Sequence, residues 1–279
     1  MPLLTLHLLR LQPAIDIREF VRNVRNTAGV EVVVASRARR FIIQPSTLDV
    51  DHLTRQKWDL LLLLRSTVDP KDTELLSGPS IIPPTLQTAI SDEYWLHAGI
   101  PSRLLAHYPE LDTKLKQEAA SVPLTGSLDE ARSKSSSQNL ELSPALVAFM
   151  DELVKEHDKP VTMLNLLHFH PGGKQGYFKY GQGFGPVASK RGGNAKLVGN
   201  VVKPPTGRRD SRGENIHEES WWNEISIVHY PSIRHFCDML AGEDYQEINS
   251  KHRLGALRDT LLLCTTELDV EHQAGSLKL

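Results

Sequence analysis

The sequence is short of what several large function classes need. Only two of its 279 residues are cysteines, Cys237 and Cys264, so neither a disulfide-stapled scaffold nor a four-thiolate zinc site can be built. An excess of one charge is also missing. The 32 Lys and Arg stand against 34 Asp and Glu, which argues against nucleic acid as a partner because phosphate binding needs a concentrated cationic face. Long apolar runs are absent: Ala145 to Met150, the longest, falls well short of the ~20 residues that span a bilayer. Met1 to Arg10 has neither the basic start nor the small-residue cleavage site of a secretory signal. The final Leu277-Lys278-Leu279 lacks the small residue of a peroxisomal address, so the expectation is a cytoplasmic protein without membrane association. No Gly-x-Ser-x-Gly elbow occurs, and neither cysteine sits in a nucleophile motif.

What is present is an ordinary globular composition, 40% apolar and 24% charged, with 12 histidines as the one unusual count. Ser133 to Asn139 is polar and free of aromatics, and reads as part of a linker over residues 121–142. It separates an N-terminal unit, 1–120, from a C-terminal unit, 143–279, each the size of one domain. The halves are alike. Leu4 to Pro13 aligns on Thr162 to Pro171, and Trp58 to Arg65 on Trp222 to His229, at nearly constant offset.

Periodicity supplies the elements. Strands are expected at 3–12, 31–36 (continuing to 40–44), 58–65, 161–169, 195–202, 222–230 and 261–267. Helices are expected at 16–28 with Asp16 as cap, at 143–157 behind Ser143-Pro144, within 174–191, after Pro231 and over 243–259. The β-α-β-β-α-β order is that of a ferredoxin-like unit, so the fold class is α+β: two ferredoxin-like units in tandem. Strands 3–11 and 58–65 are apolar at both alternating positions, so both of their faces should be buried. Packing the two sheets face to face satisfies them, and the space between the sheets becomes the expected ligand cavity.

Several second-half residues carry a resemblance. They are Met163 to Leu167, Pro171-Gly172-Gly173, Tyr177, Tyr180, Gly192-Gly193, Trp222, Val228 to Ser232, Phe236, Met239, Tyr245, His252-Arg253 and Ala256-Leu257. Together they resemble the dimeric α/β-barrel superfamily, in particular a branch known only as a domain of unknown function. The likeness covers about residues 160–268; the first half is more distant and lacks the Pro-Gly-Gly turn. It implies an intramolecular dimeric α/β barrel, acting as a monomeric pseudo-dimer or as a homodimer. Superfamily members include cofactor-free monooxygenases, polyketide cyclases, decarboxylases, isomerases, heme-dependent enzymes and stress-responsive binding proteins, so fold alone leaves the reaction open.

Candidate chemistry concentrates in the second half, because His7 aligns with Asn165, Arg10 with His168 and Arg65 with His229. His229 and His217 are candidate acid/base groups, titrating near neutral pH; for His229 a plain strand-end histidine is the alternative. Asn165 either orients a carbonyl or satisfies backbone groups. Glu224 shares a strand face with Trp222 and Ser226, and this face is expected to look into the barrel, opposite Ile225 and Ile227. There Glu224 is either a desolvated base or the ion-pair partner of Arg253. Tyr177, Tyr180, Trp222, Arg253 and His170 complete a candidate substrate-binding set. Trp221 and Trp222 are expected on opposite sides of their strand. His168 and His170 share a face, yet no carboxylate stands at ligand spacing, so no metal site is assigned. Pro204 to Gly213 reads as an exposed loop or lid. The expected function is a cofactor-independent enzyme acting by acid/base chemistry on a hydrophobic, carbonyl-bearing metabolite, polyketide-like or aromatic. Cyclisation, isomerisation and decarboxylation are the candidate reactions, and the alternative is a non-catalytic ligand-binding or interaction protein on the same scaffold.

Overall fold

Two caps show how locally the helices are set. Asp16 accepts the Glu19 N–H at 2.8 Å, and Ser143 accepts that of Leu146 with Pro144 in the first helical position. The computed structural model describes residues 1–67, 81–130, 133–204, 209–213 and 220–272. The first half runs β1 (Leu3–Leu11), α1 (Ile17–Arg25), β2 (Val30–Ile43), α2 (Val50–Thr54), β3 (Leu60–Ser66), α3 (Pro84–Gln87), β4 (Ile90–Gly99) and α4 (Ser102–Glu118). The second begins with α5 (Pro144–Glu156), β5 (Val161–Phe169), α6 (Gly173–Ser189), β6 (Asn194–Val202) and β7 (Glu224–Tyr230). It ends with α7 (Ile233–Ala241), α8 (Glu243–Ile248), a π-helical turn (Asn249–Arg253), β8 (Leu257–Glu267) and α9 (Leu268–His272).

The eight strands pair antiparallel into a closed barrel in the order β1-β3-β2-β8-β5-β7-β6-β4. One chain therefore supplies the whole barrel. The first half contributes β4-β1-β3-β2 and the second β8-β5-β7-β6, joined where β2 meets β8 and β6 meets β4. No described helix is long and apolar enough to cross a membrane.

Strand alternation sorts the side chains into three cores. Leu6, Val34, Leu63 and Leu96 meet Leu164, Leu197, Ile227 and Leu263 in a single buried cluster drawn from all eight strands. These residues fill the barrel, as eight strands leave an interior just wide enough for side chains. The expected cavity between the sheets is thereby corrected: long branched side chains occupy it. Outside, Leu9, Leu62 and Leu64 pack on Phe20 and Val24 of α1. Met163, Val228 and Leu262 pack beneath α5, α6 and α7.

The face of β7 is also corrected. Ile225 and Ile227 point into the barrel, while Glu224, Ser226 and Val228 point out toward the helices. The strand starts at Glu224, and Trp221 and Trp222, expected on opposite sides, both lie in the interior cluster. Trp222 Nε1 donates to the Tyr94 hydroxyl at 2.9 Å, closing one end of the barrel.

The opposite end is closed by charge. Lys196, left unpaired by a register shift between Ala195 and Leu197, bonds Asp112 of α4 and Glu267 of β8. Lys116 Nζ lies 2.5 Å from Asp112 and from Glu267 and 2.7 Å from Asp269. Thr162 donates to Glu267 at 2.7 Å. In the stretch read as a linker, Leu140 and Leu142 are buried and the Lys134 N–H donates to the Leu142 carbonyl.

Candidate functional site

The second-half sheet and α6 enclose a cavity of about 490 Å³. Its floor is the outward face of β5, β7 and β8: Met163, Asn165, Glu224, Ser226, Val228 and Leu262. Register makes this floor, since Asn165 lies opposite Ser226 and Leu167 opposite Glu224. The roof is one stripe of α6, where Lys174, Tyr177, Phe178 and Gly181 recur at helical spacing. Phe169, Tyr177, Tyr180 and Phe184 form a chain of tilted rings with centroids 5.2–5.6 Å apart. Arg253, at the end of the π-helical turn, closes a side wall with Tyr230 and Phe236.

Glycine sets the distance of the roof. A Cβ on Gly173 would stand 2.2 Å from the Ala256 carbonyl oxygen, so α6 can start this close to β8 only without one. Gly173→Ala should shift α6 and lower stability by about 1–3 kcal/mol, the usual penalty of overpacking, as read by urea unfolding. At Gly181 a Cβ would meet nothing within 4 Å; its missing side chain is part of the cavity.

The polar groups are partly desolvated. Burial raises the pKa of Glu224, with Lys174 opposing. Burial likewise pushes the Tyr177 and Tyr180 phenols up, against the positive charge of Arg253. Asn165 Nδ2 makes a long 3.4 Å bond to the Met163 carbonyl. The expected Glu224–Arg253 ion pair does not form. A carboxyl with raised pKa, an amide and two phenols around an apolar space can accept a proton, hold a carbonyl oxygen and return a proton.

Asn165, Glu224, Tyr177, Tyr180 and Arg253 are thus brought together; the other expected site residues are elsewhere. His229 is 1% exposed, faces the charged end of the barrel and has no partner for either ring nitrogen among the described residues. Burial and then the Lys196 charge lower its pKa to about 3, leaving it neutral at physiological pH. Trp222 is committed to Tyr94. His170 is exposed beyond the end of β5, whereas His168 is buried with Nδ1 2.7 Å from the Trp221 carbonyl, so the pair shares no face. His217 lies outside the described residues.

The loop after β6 is described at 203–204, 209–213 and 220–223, and its middle part, 209–213, packs on β4. The Ser211 N–H donates to the Trp95 carbonyl, the Trp95 N–H returns to Ser211 Oγ, and Asp210 and Arg212 are buried. That part is no lid. Lys174, Gly181 and Ser226 also line the cavity. Projecting Tyr177 along its helix face would have found the first two.

A groove of about 530 Å³ between β2 and α4 ends on Asp112, Lys116, Glu267 and Asp269, groups already bonded to one another. The acids Asp112, Glu267 and Asp269 converge closely enough for a cation, but the Lys116 ammonium contacts all three. Both cysteines are free and buried, and burial pushes the Cys264 thiol up to about 12.

No protein family matches the sequence, and no curated protein does. Among solved structures, a Rhodopseudomonas palustris protein of unknown function is 25% identical over 45% of this chain and 93% of its own, with a TM-score of 0.34. An anthrone oxidase-like protein is 10% identical, covering 96% of this chain and 91% of its own at a TM-score of 0.43. A Rhodococcus jostii DypB variant in complex with heme is 12% identical over 97% and 94%, at 0.37.

Proposed function

We propose that the chain is a tandem duplication of one ferredoxin-like unit, closed as an intramolecular dimeric α/β barrel whose second unit holds a small-molecule site. The matching strand orders of the halves support this. So does the spacing: β1 and β5 differ by 158 positions at both ends, and β3 and β7 by 164. The units differ at the site. His7, the counterpart of Asn165, is satisfied internally by Glu93 at 2.7 Å and Thr5 at 2.9 Å.

The site works as a cofactor-independent acid/base centre on a hydrophobic, carbonyl-bearing molecule, aromatic or polyketide-like, in a cyclisation, isomerisation or decarboxylation. Glu224 takes the proton, Asn165 holds the carbonyl oxygen, and Tyr177 or Tyr180 returns a proton. The observation that carries this reading is the half-buried carboxyl of Glu224 on the floor of an apolar cavity, without a hydrogen-bond partner among the described residues and with its pKa raised by burial. The free thiols fit a cytoplasmic enzyme.

A thermal-shift screen of aromatic ketones tests it. At a hundredfold excess over Kd, a ligand of this cavity should raise Tm by about 5 °C or more. Gly181→Trp, which fills the cavity from a position with open space, should abolish the shift and leave the fold intact. Ketones that stabilise the wild type and this variant equally would place binding elsewhere.

A further inference from the structure

The floor of the cavity explains an acid/base role but leaves its one buried cation unexplained. Arg253 is 3% exposed, and its Nη2 has no hydrogen-bond partner among the described residues. No described carboxylate pairs with it; Glu224, which shares the cavity, has Lys174 as its charged neighbour. A buried guanidinium without a counter-charge is costly, so proteins rarely leave one unpaired without a purpose. The backbone also departs from regular helix here: Arg253 ends the π-helical turn Asn249–Arg253, a feature that often marks functional positions.

We propose that Arg253 is the anion-recognition group of this cavity, and that the ligand is a hydrophobic molecule carrying one carboxylate. The inference rests on reading the cavity as a small-molecule site, and it narrows the substrate class. A guanidinium presents a planar fork that matches a carboxylate. A single charge suits one buried cation, whereas a dianionic phosphate would bring an uncompensated charge into an apolar space. The tyrosine phenols of the wall favour the same arrangement. The Arg253 charge opposes the upward push of burial on the phenols of Tyr177, Tyr180 and Tyr230, which line the same cavity.

The test compares 2-naphthoate with its methyl ester at pH 7 by calorimetry, on wild type, Arg253→Met and Arg253→Lys. The wild type should bind the carboxylate about 10–100-fold more tightly than the ester, the worth of a charged hydrogen-bonded pair. Arg253→Met should keep ester binding and lose the preference, with an unliganded Tm no lower than wild type because a buried unpaired cation is gone. Arg253→Lys, which keeps the charge but not the fork, should lose part of the preference. Equal binding of both probes by the wild type overturns the role of Arg253 while the cavity reading stands. So does a preference that survives Arg253→Met undiminished. A wild type that binds neither probe removes the cavity reading and this inference together.

Discussion

Replacing Glu267 with glutamine should lower stability by about 3–5 kcal/mol, the usual loss when one member of a buried ion network is removed. Glu267 is one of two acids, with Asp112, that contact both ammonium groups closing the charged end of the barrel, Lys116 and Lys196. The side chain of Lys196 is fully buried and would keep only Asp112, which it shares with Lys116, while Asp269 reaches Lys116 alone. The pH dependence carries a sign. Burial opposes ionisation of Glu267, but the two ammonium groups overcome it and hold its pKa below the usual carboxylate range. Its contribution is therefore complete above about pH 4.5 and fades as pH falls toward the folded value. Urea unfolding across pH 3 to 7 should show a steep acid limb in the wild type and a flatter one in Glu267→Gln. A loss under about 1 kcal/mol at pH 7, within the range of exposed ion pairs, would mean that this end of the barrel is wet.

Glu224→Gln should lower kcat on a turned-over aromatic ketone by about 10²–10⁴-fold, the range for loss of a general base, with KM little changed. The same substitution should not weaken the fold. Because burial raises the pKa of Glu224, its ionised form works against folding, and this effect grows as pH rises through the folded pKa. Glu224→Gln should thus match the wild type near pH 4 and have the higher Tm at pH 7. A variant that binds and turns over the ketone unchanged would remove Glu224 from the chemistry. Unchanged binding of a ketone that neither protein turns over would favour a binding protein.

Much of this arrangement was legible. The bounds of β5, the caps of α1 and α5 and the doubly buried β1 and β3 follow from local rules, because apolar alternation and capping act over a few residues. β4 and α4 are not signalled. Ser91-Asp92-Glu93 opens the strand with polar residues, and Pro109 interrupts the helix, yet pairing with β1 and contact with the charged end of the barrel hold both. The orientation of β7 is not legible in the sequence, for a physical reason. In this barrel the inside and the helix-covered outside are both dry, so Ile225 and Ile227 suit either face, and a glutamate on the other gives no sense of direction. Tertiary closure decides it. The histidines misled in the same way: His229 and His168 are polar residues on inward or buried positions, where a sequence shows titratable groups but not what surrounds them.

The claim that binding occurs between sheet and α6 can be tested at one atom. The chain has four methionines, and Met163 alone among them lines the cavity. With ¹³C-methyl methionine, titration with an aromatic ketone should move the Met163 methyl signal saturably through the ring current, leaving Met1 in place and Met150 and Met239 little changed. Saturable binding that leaves Met163 unmoved would contradict the assignment of the site.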